Sequence, residues 1–250
     1  MMSVPTAAEN AVCLNGLCKS YRGRAAVDRL QLTIPENSFF ALLGVNGAGK
    51  TTALRMLCGL TRPDDGDALV FGSSVVRQPE AVRQMVGVSP QETSVARHLT
   101  VLENLRLIAG LTCRQKAQGE AQVQALLRQF SLQEVQERRA GTLSGGWQRR
   151  LSIAMALVGS PRLLLLDEPT LGLDVLARRE LWSLIRQWKG RLTVILTTHY
   201  LEEAQALSDN VGILAHGRLC ASGSVPQLCQ QTGCATLEEA FLACVQEKTV

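Results

Sequence analysis

The stretch Gly44-Val45-Asn46-Gly47-Ala48-Gly49-Lys50-Thr51 fits the pattern G-x-x-x-x-G-K-[ST]. Upstream of it, Phe39 to Leu43 is a continuous apolar run of strand type. Downstream, Lys50 to Cys58 has helical spacing, and Gly59 stands where a helix C-terminal cap is expected. Strand, glycine loop and helix in this order make a phosphate cradle. The glycines let backbone N–H groups converge on phosphate oxygens, Lys50 reaches the β and γ phosphates, and the Thr51 hydroxyl serves Mg²⁺. The following helix, with Thr52 in its first turn, points its positive dipole end at the same anion. A glycine turn that merely caps a helix would leave Lys50 unexplained, so the loop predicts nucleotide binding.

Outward from the loop, the apolar segments Leu30 to Ile34 and Ala68 to Phe71 are bounded by Pro35, the run Pro63-Asp64-Asp65-Gly66, and Gly72. They read as strands joined by turns. From Leu99 to about Ala140 the pattern turns helical and polar, and Thr100-Val101-Leu102-Glu103 has the form of a capping box that starts a helix. From Pro161 onward strand and helix alternate: Leu163 to Leu166, Val175 to Lys189, Leu192 to Thr198, Leu201 to Ser208. In the long helix, Ala177, Leu181, Leu184, Ile185 and Trp188 recur at helical spacing and are expected to face the core. Such alternation predicts a parallel sheet covered by helices. Val211 to Gly223 reads as a hairpin turning at His216-Gly217, and the tail after Pro226 as short helices.

Composition narrows the classes. No apolar run approaches the roughly 20 residues of a membrane helix, and Met1-Met2-Ser3-Val4-Pro5 lacks the basic and apolar blocks of a secretion signal, so a cytosolic chain is expected. The eight cysteines are scattered, without a C-x-x-C pair or clustered histidines, and are expected to be small buried hydrophobes rather than a zinc or disulfide framework. The net charge of +4 arises from 26 basic and 22 acidic residues mixed along the chain, too weak and dispersed to argue for nucleic acid. It remains compatible with a site near an anionic membrane surface.

Further residues bear on a bound nucleotide. Asp167-Glu168 ends the leucine strand, and an acid at the C-terminal edge of a buried parallel strand faces the crevice where such sheets bind ligands. There Asp167 is suited to hold Mg²⁺ opposite Thr51, and Glu168 to orient and deprotonate a water that attacks the γ phosphate. Ser144-Gly145-Gly146 precedes a helical stretch and has two readings with one geometry, a plain N-cap or an anion site. His199 ends another apolar strand, which suits a γ-phosphate contact. Gln91, after Gly87-Val88-Ser89-Pro90, is either an exposed loop amide or a link from Mg²⁺ or water to the helical segment. Asp174 reads as the N-cap of the Val175 helix, compatible with a dimer contact.

Together these residues resemble the ATP-binding subunit of an ATP-binding cassette transporter, from about Val12 to about Gly223 and with motifs in the family's order. The resemblance implies an α/β P-loop NTPase with a mainly parallel core sheet, an antiparallel β subdomain and a helical insert subdomain. The implied organisation is an ATP-binding domain over residues 10–223, with the insert at about 92–160, and a helical tail over 224–250. It makes Gly44 to Thr51 the Walker A loop, Gln91 the Q-loop, Leu143 to Gly146 the signature motif and Leu163 to Asp167 Walker B. Glu168 becomes the catalytic base, Gly172-Leu173-Asp174 the D-loop, His199 the switch histidine, and Tyr21 the aromatic that stacks on adenine. There are departures. Trp147 stands where the signature commonly has Gln, and Asn37-Ser38-Phe39-Phe40 replaces the common acidic or glycine positions before the Walker A strand.

By the same resemblance, two ATP molecules with Mg²⁺ are sandwiched in a head-to-tail dimer with a second copy or a homologous ATPase subunit. Ser144 to Gly146 of one chain then complete the site of the other. A separate integral membrane permease, without nucleic acid, receives the motion, and the chain sits peripherally on the inner face of the cell membrane. The segments Pro169 to Asp174 and Thr197 to Ala204 are most similar to the ABC-2 type exporter subgroup, whose members handle drugs, lipid-linked sugars, ions or antibiotics. A non-transport cassette acting on ribosomes or DNA, and a small-molecule kinase using the same loop, are the alternatives. The first commonly carries two cassettes or a long coiled-coil insertion, and the second leaves Ser144 to Gly146 and His199 unexplained.

Overall fold

The computed structural model describes residues 10–246. The N-terminal residues read for a secretion signal, and the last four of the tail, lie outside this span. In chain order the elements are β1 (Asn10–Tyr21), β2 (Arg24–Pro35), β3 (Phe39–Leu43), α1 (Lys50–Leu57), β4 (Asp65–Val70), β5 (Ser73–Ser74), α2 (Pro79–Met85) and β6 (Val86–Ser89). Then follow α3 (Val101–Thr112), α4 (Lys116–Gln129), α5 (Gly145–Leu157), β7 (Leu163–Asp167) and α6 (Val175–Arg186). The chain continues through β8 (Thr193–Thr198), α7 (Leu201–Leu207), β9 (Asn210–Ala215), β10 (Arg218–Gly223), α8 (Val225–Thr232) and α9 (Leu237–Gln246). It divides into two units: the residues up to Met85 together with those from Lys189 onward, and Val86–Trp188.

In the first unit, β1 pairs antiparallel with β2 and β4, and β5 closes on β4. The β1–β2 turn is Arg22-Gly23, both with positive φ (49° and 79°), which suits a tight hairpin whose twist matches its strands. A second group of strands is parallel: β3 lies between β8 and β9, and β10 returns antiparallel on β9. All five residues of β3 and all six of β8 are buried, as a strand covered on both faces requires. Phe39 is wholly enclosed, where burial of a large apolar side chain contributes about 1.5–3 kcal/mol. The turn before β3 is made by Asn37 in the left-handed region (φ 57°), its N–H donating to Thr193 Oγ1 (2.9 Å). Asparagine tolerates that conformation better than most residues, which gives the departure at Asn37 a structural role.

In the second unit, β6 and β7 pair in parallel, and Leu163 to Leu166 have no solvent exposure. Helices α3, α4 and α5 pack on one another, and α5 packs on β6 and β7. The capping box predicted at Thr100 is present: Thr100 Oγ1 accepts from Glu103 N–H (3.1 Å) and the Glu103 carboxylate accepts from Thr100 N–H (2.7 Å). Helix α6 stops at Arg186, three residues short of the expected Lys189. Of its expected core residues, Leu181 and Ile185 are buried while Ala177 and Leu184 are half-buried. Trp188 lies beyond the helix, its ring 5.6 Å from that of Phe130. The strand β6 and the helix α2 before it were not predicted. Four residues of Val-Gly-Val-Ser are too few for a period to emerge from the sequence. Only Cys58 and Cys244 among the cysteines are buried; the other six are half-buried, a correction to the expected burial, and none of the eight forms a disulfide.

Candidate functional site

The first unit assembles the glycine loop and His199 at one strand edge. Leu43 pairs with Thr198, so the chain enters the loop and leaves β8 side by side, with the Gly44 N–H donating to Thr198 O (3.2 Å). The loop's rim, Val45-Asn46-Gly47, is exposed, while Gly44, Ala48 and Lys50 are buried. The glycines at its ends are forced by close backbone approach. A Cβ on Gly44 would stand 2.5 Å from Leu214 O, and one on Gly49 (φ 105°) would stand 2.2 Å from Ala26 O. Gly49 opens α1, so its first turn, with Lys50, Thr51 and Thr52, delivers helix N–H groups to the loop. Lys50 Nζ folds over the loop and donates to Gly44 O (2.6 Å) and Val45 O (3.3 Å), an ammonium held inside a ring of backbone. Such a donor set fits a di- or triphosphate. The half-buried His199 ring lies against the Tyr200 ring at a 40° tilt (centroids 4.1 Å apart), and Tyr200 N–H donates to Thr198 Oγ1 (2.9 Å), fixing the strand end.

Tyr21, also in the first unit, is the last residue of β1 and is 45% exposed, an aromatic face open to solvent. Asp64 fastens the strand end before it. Its carboxylate accepts from Lys19 Nζ (2.6 Å) and Ser20 N–H (2.7 Å), and the Lys19 ammonium chiefly, with Ser20, holds its pKa below the usual carboxylate value. Lys19 Nζ lies 5.7 Å from the centre of the Tyr21 ring.

The second unit holds Gln91, Ser144 to Gly146, Asp167, Glu168 and Asp174. Ser89 pairs with Leu166, so Pro90-Gln91 and Asp167-Glu168 emerge from the same ends of β6 and β7. Asp167 and Glu168 are each only 4% exposed, and Glu168 has φ 48°. A non-glycine residue in the left-handed region at a buried strand end carries backbone strain of the kind that gathers at functional sites. Gln91 is exposed, but its main chain is fixed: the Arg149 guanidinium donates to Pro90 O (2.6 Å) and Gln91 O. Arg149 belongs to α5, the helix that Ser144 begins, so one buried cation joins the Gln91 loop to the serine-glycine element. Its role was not legible in the sequence. The available signal was a charged residue beside Leu151, Ser152 and Ile153 on the buried face of a helix, where an arginine needs acceptors.

Both readings of Ser144 fit its place in the structure. Ser144 occupies the N-cap of α5, yet its side chain makes no capping hydrogen bond, whereas the Asp174 carboxylate caps α6 by accepting from Ala177 N–H (2.9 Å). Ser144 and Gly145 are exposed, and nothing lies within 4 Å of a Cβ built on Gly145. A helix start with an uncommitted hydroxyl and open glycine backbone is an anion-binding arrangement. Trp147, one turn in, lies under the Arg150 guanidinium (4.9 Å), which is itself paired with Glu180.

Comparison with known proteins agrees with this inventory. A family model described as ABC transporter matches residues 27–171. The daunorubicin/doxorubicin resistance ATP-binding protein DrrA of Streptomyces peucetius is 42% identical over 224 residues, covering 89% of this chain and 68% of that protein. The human retinal-specific phospholipid-transporting ATPase is 41% identical over 215 residues, 85% of this chain, which spans 10% of that much longer protein. Among solved structures, an ATP binding subunit of an ABC transporter superposes with a TM-score of 0.84 at 29% identity, covering 94% of this chain and 99% of that one. A dimeric ATP-binding cassette with bound ADP and phosphate shares the fold, with a TM-score of 0.78 at 24% identity, over 85% of this chain and 98% of that one. With its glycine loop, its strand-end carboxylates and its serine-glycine helix start, this chain belongs to the ABC transporter family as one of its ATP-binding cassettes.

Proposed function

We propose that the chain binds and hydrolyses ATP as the motor subunit of an exporter, closing as a head-to-tail dimer on ATP and opening after hydrolysis. The observation that carries this reading is the Ser144 hydroxyl, placed at an N-cap but not used as one, beside exposed glycine backbone. One chain has one glycine loop and one triphosphate, so this second anion-seeking element is assigned to the nucleotide of a partner chain, a second copy or a homologous subunit. The exposed apolar side chains Val175 and Leu176 next to Asp174, with Leu171 before it, support a protein-binding face there.

Within the loop of Gly44 to Thr52, Lys50 and main-chain N–H groups of its helix end hold the β and γ phosphates. Glu168 accepts a proton as water attacks the γ phosphorus, the bond to the β–γ bridging oxygen breaks, and ADP and phosphate leave. His199 contacts the γ phosphate, Tyr21 stacks on adenine, and Asp174 belongs to the dimer contact. Among the described residues, no group of three or more His, Cys, Asp and Glu could hold a metal ion. We expect Mg²⁺ to arrive with the nucleotide. Thr51, Asp167 and Gln91 would hold it, and it would offset charge on the β and γ oxygens.

Among the described residues no helix is long and apolar enough to cross a membrane, and we assign membrane passage to a separate integral permease that keeps this subunit on the inner face. The names of the relatives, a drug-resistance ATP-binding protein and a phospholipid-transporting ATPase, support export of amphiphilic molecules. We read the sequence organisation as a cassette over residues 10–223 carrying a helical insert at about 92–160 and a tail over 224–250. Glu168→Gln tests the chemistry: hydrolysis falls by about 10²-fold or more while ATP is retained and dimers accumulate. Hydrolysis at the normal rate would overturn the assignment of the base. Purification from membranes with an integral membrane protein tests the coupling, and isolation with ribosomes or DNA would contradict it.

A further inference from the structure

The phosphate loop rests on two segments that no motif reading includes. On β2, Cys18 of β1 faces two residues, Asp28 and Arg29, because the register steps from Leu17–Leu30 to Lys19–Val27. This is a β-bulge, with Arg29 at φ 48° and its N–H turned to Cys18 Sγ (3.2 Å). The bulge turns the Asp28 N–H out of the ladder, and it donates to Gly217 O (2.9 Å) in the β9–β10 turn. The Gly217 N–H donates in turn to Ala48 O inside the phosphate loop (3.0 Å). Beside this relay, the Asp28 carboxylate receives Arg218 Nε (2.6 Å) and Nη2, fastening the turn to the bulge.

We infer that Asp28, Gly217 and Arg218 are positioning residues for the phosphate loop: the ion pair sets the height of the β9–β10 turn, and Gly217 transmits it to Ala48. The geometry leaves little slack. Gly217 has φ 79°, and a Cβ there would meet Ala26 O at 2.9 Å, the same carbonyl that presses on Gly49. Ala26 O thus touches the turn and the loop together, so a displaced turn displaces the loop. Asp28 and Arg218 side chains remain 22% and 51% exposed. A pair so exposed contributes little to overall stability, which separates a positioning role from a structural one.

The inference rests on the reading of the loop as an ATP site. The experiment measures affinity for a non-hydrolysable ATP analogue, kcat and KM for ATP, and the nucleotide-free melting temperature. The chains compared are wild type, Arg218→Gln, Gly217→Ala and the exchanged pair Asp28→Arg with Arg218→Asp. Arg218→Gln is expected to weaken analogue binding and raise KM about threefold to fivefold, with kcat nearly unchanged and the melting temperature within about 2 °C. Gly217→Ala is expected to weaken binding about tenfold, through strain at a positive φ. The exchanged pair restores affinity to within about twofold of wild type. Unchanged affinity in Arg218→Gln, loss that only follows a lowered melting temperature, or no recovery in the exchanged pair would each overturn the assignment. A wild-type chain that binds no ATP would instead overturn the reading of the loop, and this inference with it.

Discussion

In the first unit the glycine loop is held at four points by its own surroundings, by Leu214 O against Gly44, by Ala26 O against Gly49, by the Gly44 N–H on Thr198 O and by the Gly217 N–H on Ala48 O. In the second unit the Ser144 turn is held from its helix side, through Gln148 N–H on Ser144 O (3.0 Å), Gln148 Nε2 on Leu143 O (3.0 Å) and Arg149 on the Gln91 loop, while Ser144 and Gly145 are exposed. The first element is a finished cradle with its cation folded in; the second offers a hydroxyl and a helix end to something outside. Preorganised donors bind without reorganising, whereas an exposed helix end in water gains little until another surface excludes the solvent. On the proposed reading, the first element grips the nucleotide of its own chain, whereas the second acts on the nucleotide of a partner.

The largest expected effect comes from breaking the finished element. Lys50→Ala removes the ammonium from the loop, where it rests on Gly44 O and Val45 O, and ATP binding by the isolated chain is expected to fall at least about a hundredfold, hydrolysis with it. Calorimetric titration with ATP reads the first and phosphate release the second. Ser144→Ala touches the open element and should leave ATP affinity of the isolated chain within about twofold while hydrolysis drops roughly tenfold. Equal losses in both measurements would erase the contrast between the two elements. Trp147→Gln, which leaves Ser144 and both glycines in place, is expected to keep hydrolysis within about threefold.

Much of this contrast was legible in the sequence, and the reason is locality. Gly44 to Thr51, the Thr100 capping box and the Asp174 cap are decided by residues within one turn of each other, so spacing alone exposes them. The leucine strand ending in Asp167 announces itself through an unbroken apolar run. What stayed hidden depends on contacts distant in the chain. The bulge at Asp28-Arg29 exists because Cys18 and Gly217 face it, the acceptors of Arg149 lie 58 and 59 residues away, and the early end of α6 leaves Trp188 to pack on Phe130. The role of Ser144 is ambiguous in the sequence for another reason: an N-cap and an anion site use the same residues, so spacing gives no way to tell them apart.

The smallest expected effect lies within the second unit, in the fastening of α3 to α4. Glu120 accepts from Arg106 Nε (2.9 Å) and Nη2 (2.8 Å), and this guanidinium, with Gln124, holds its carboxyl down at about 2 from an ordinary 4.5. Because the folded-state pKa is depressed, the stabilisation is present above pH 4.5 and is lost as pH falls from there through about 2. The side chains are 49% and 41% exposed, so solvent screens the pair. Glu120→Gln is expected to lower the melting temperature by at most about 2 °C at pH 7, a difference that shrinks steadily below pH 4.5.

The central claim, that the Ser144 element completes the site of another chain, is tested most directly by mixing two inactive proteins. Lys50→Ala disables the cradle and Ser144→Arg blocks the open element, so each homodimer is silent. Mixed in equal amounts, half of the dimers pair the two variants, and each such dimer rebuilds one intact site from the cradle of one chain and the helix start of the other. The account predicts that the mixture recovers about a quarter of wild-type hydrolysis. Activity that stays at the level of the separate variants, in a mixture shown to form mixed dimers, would contradict it.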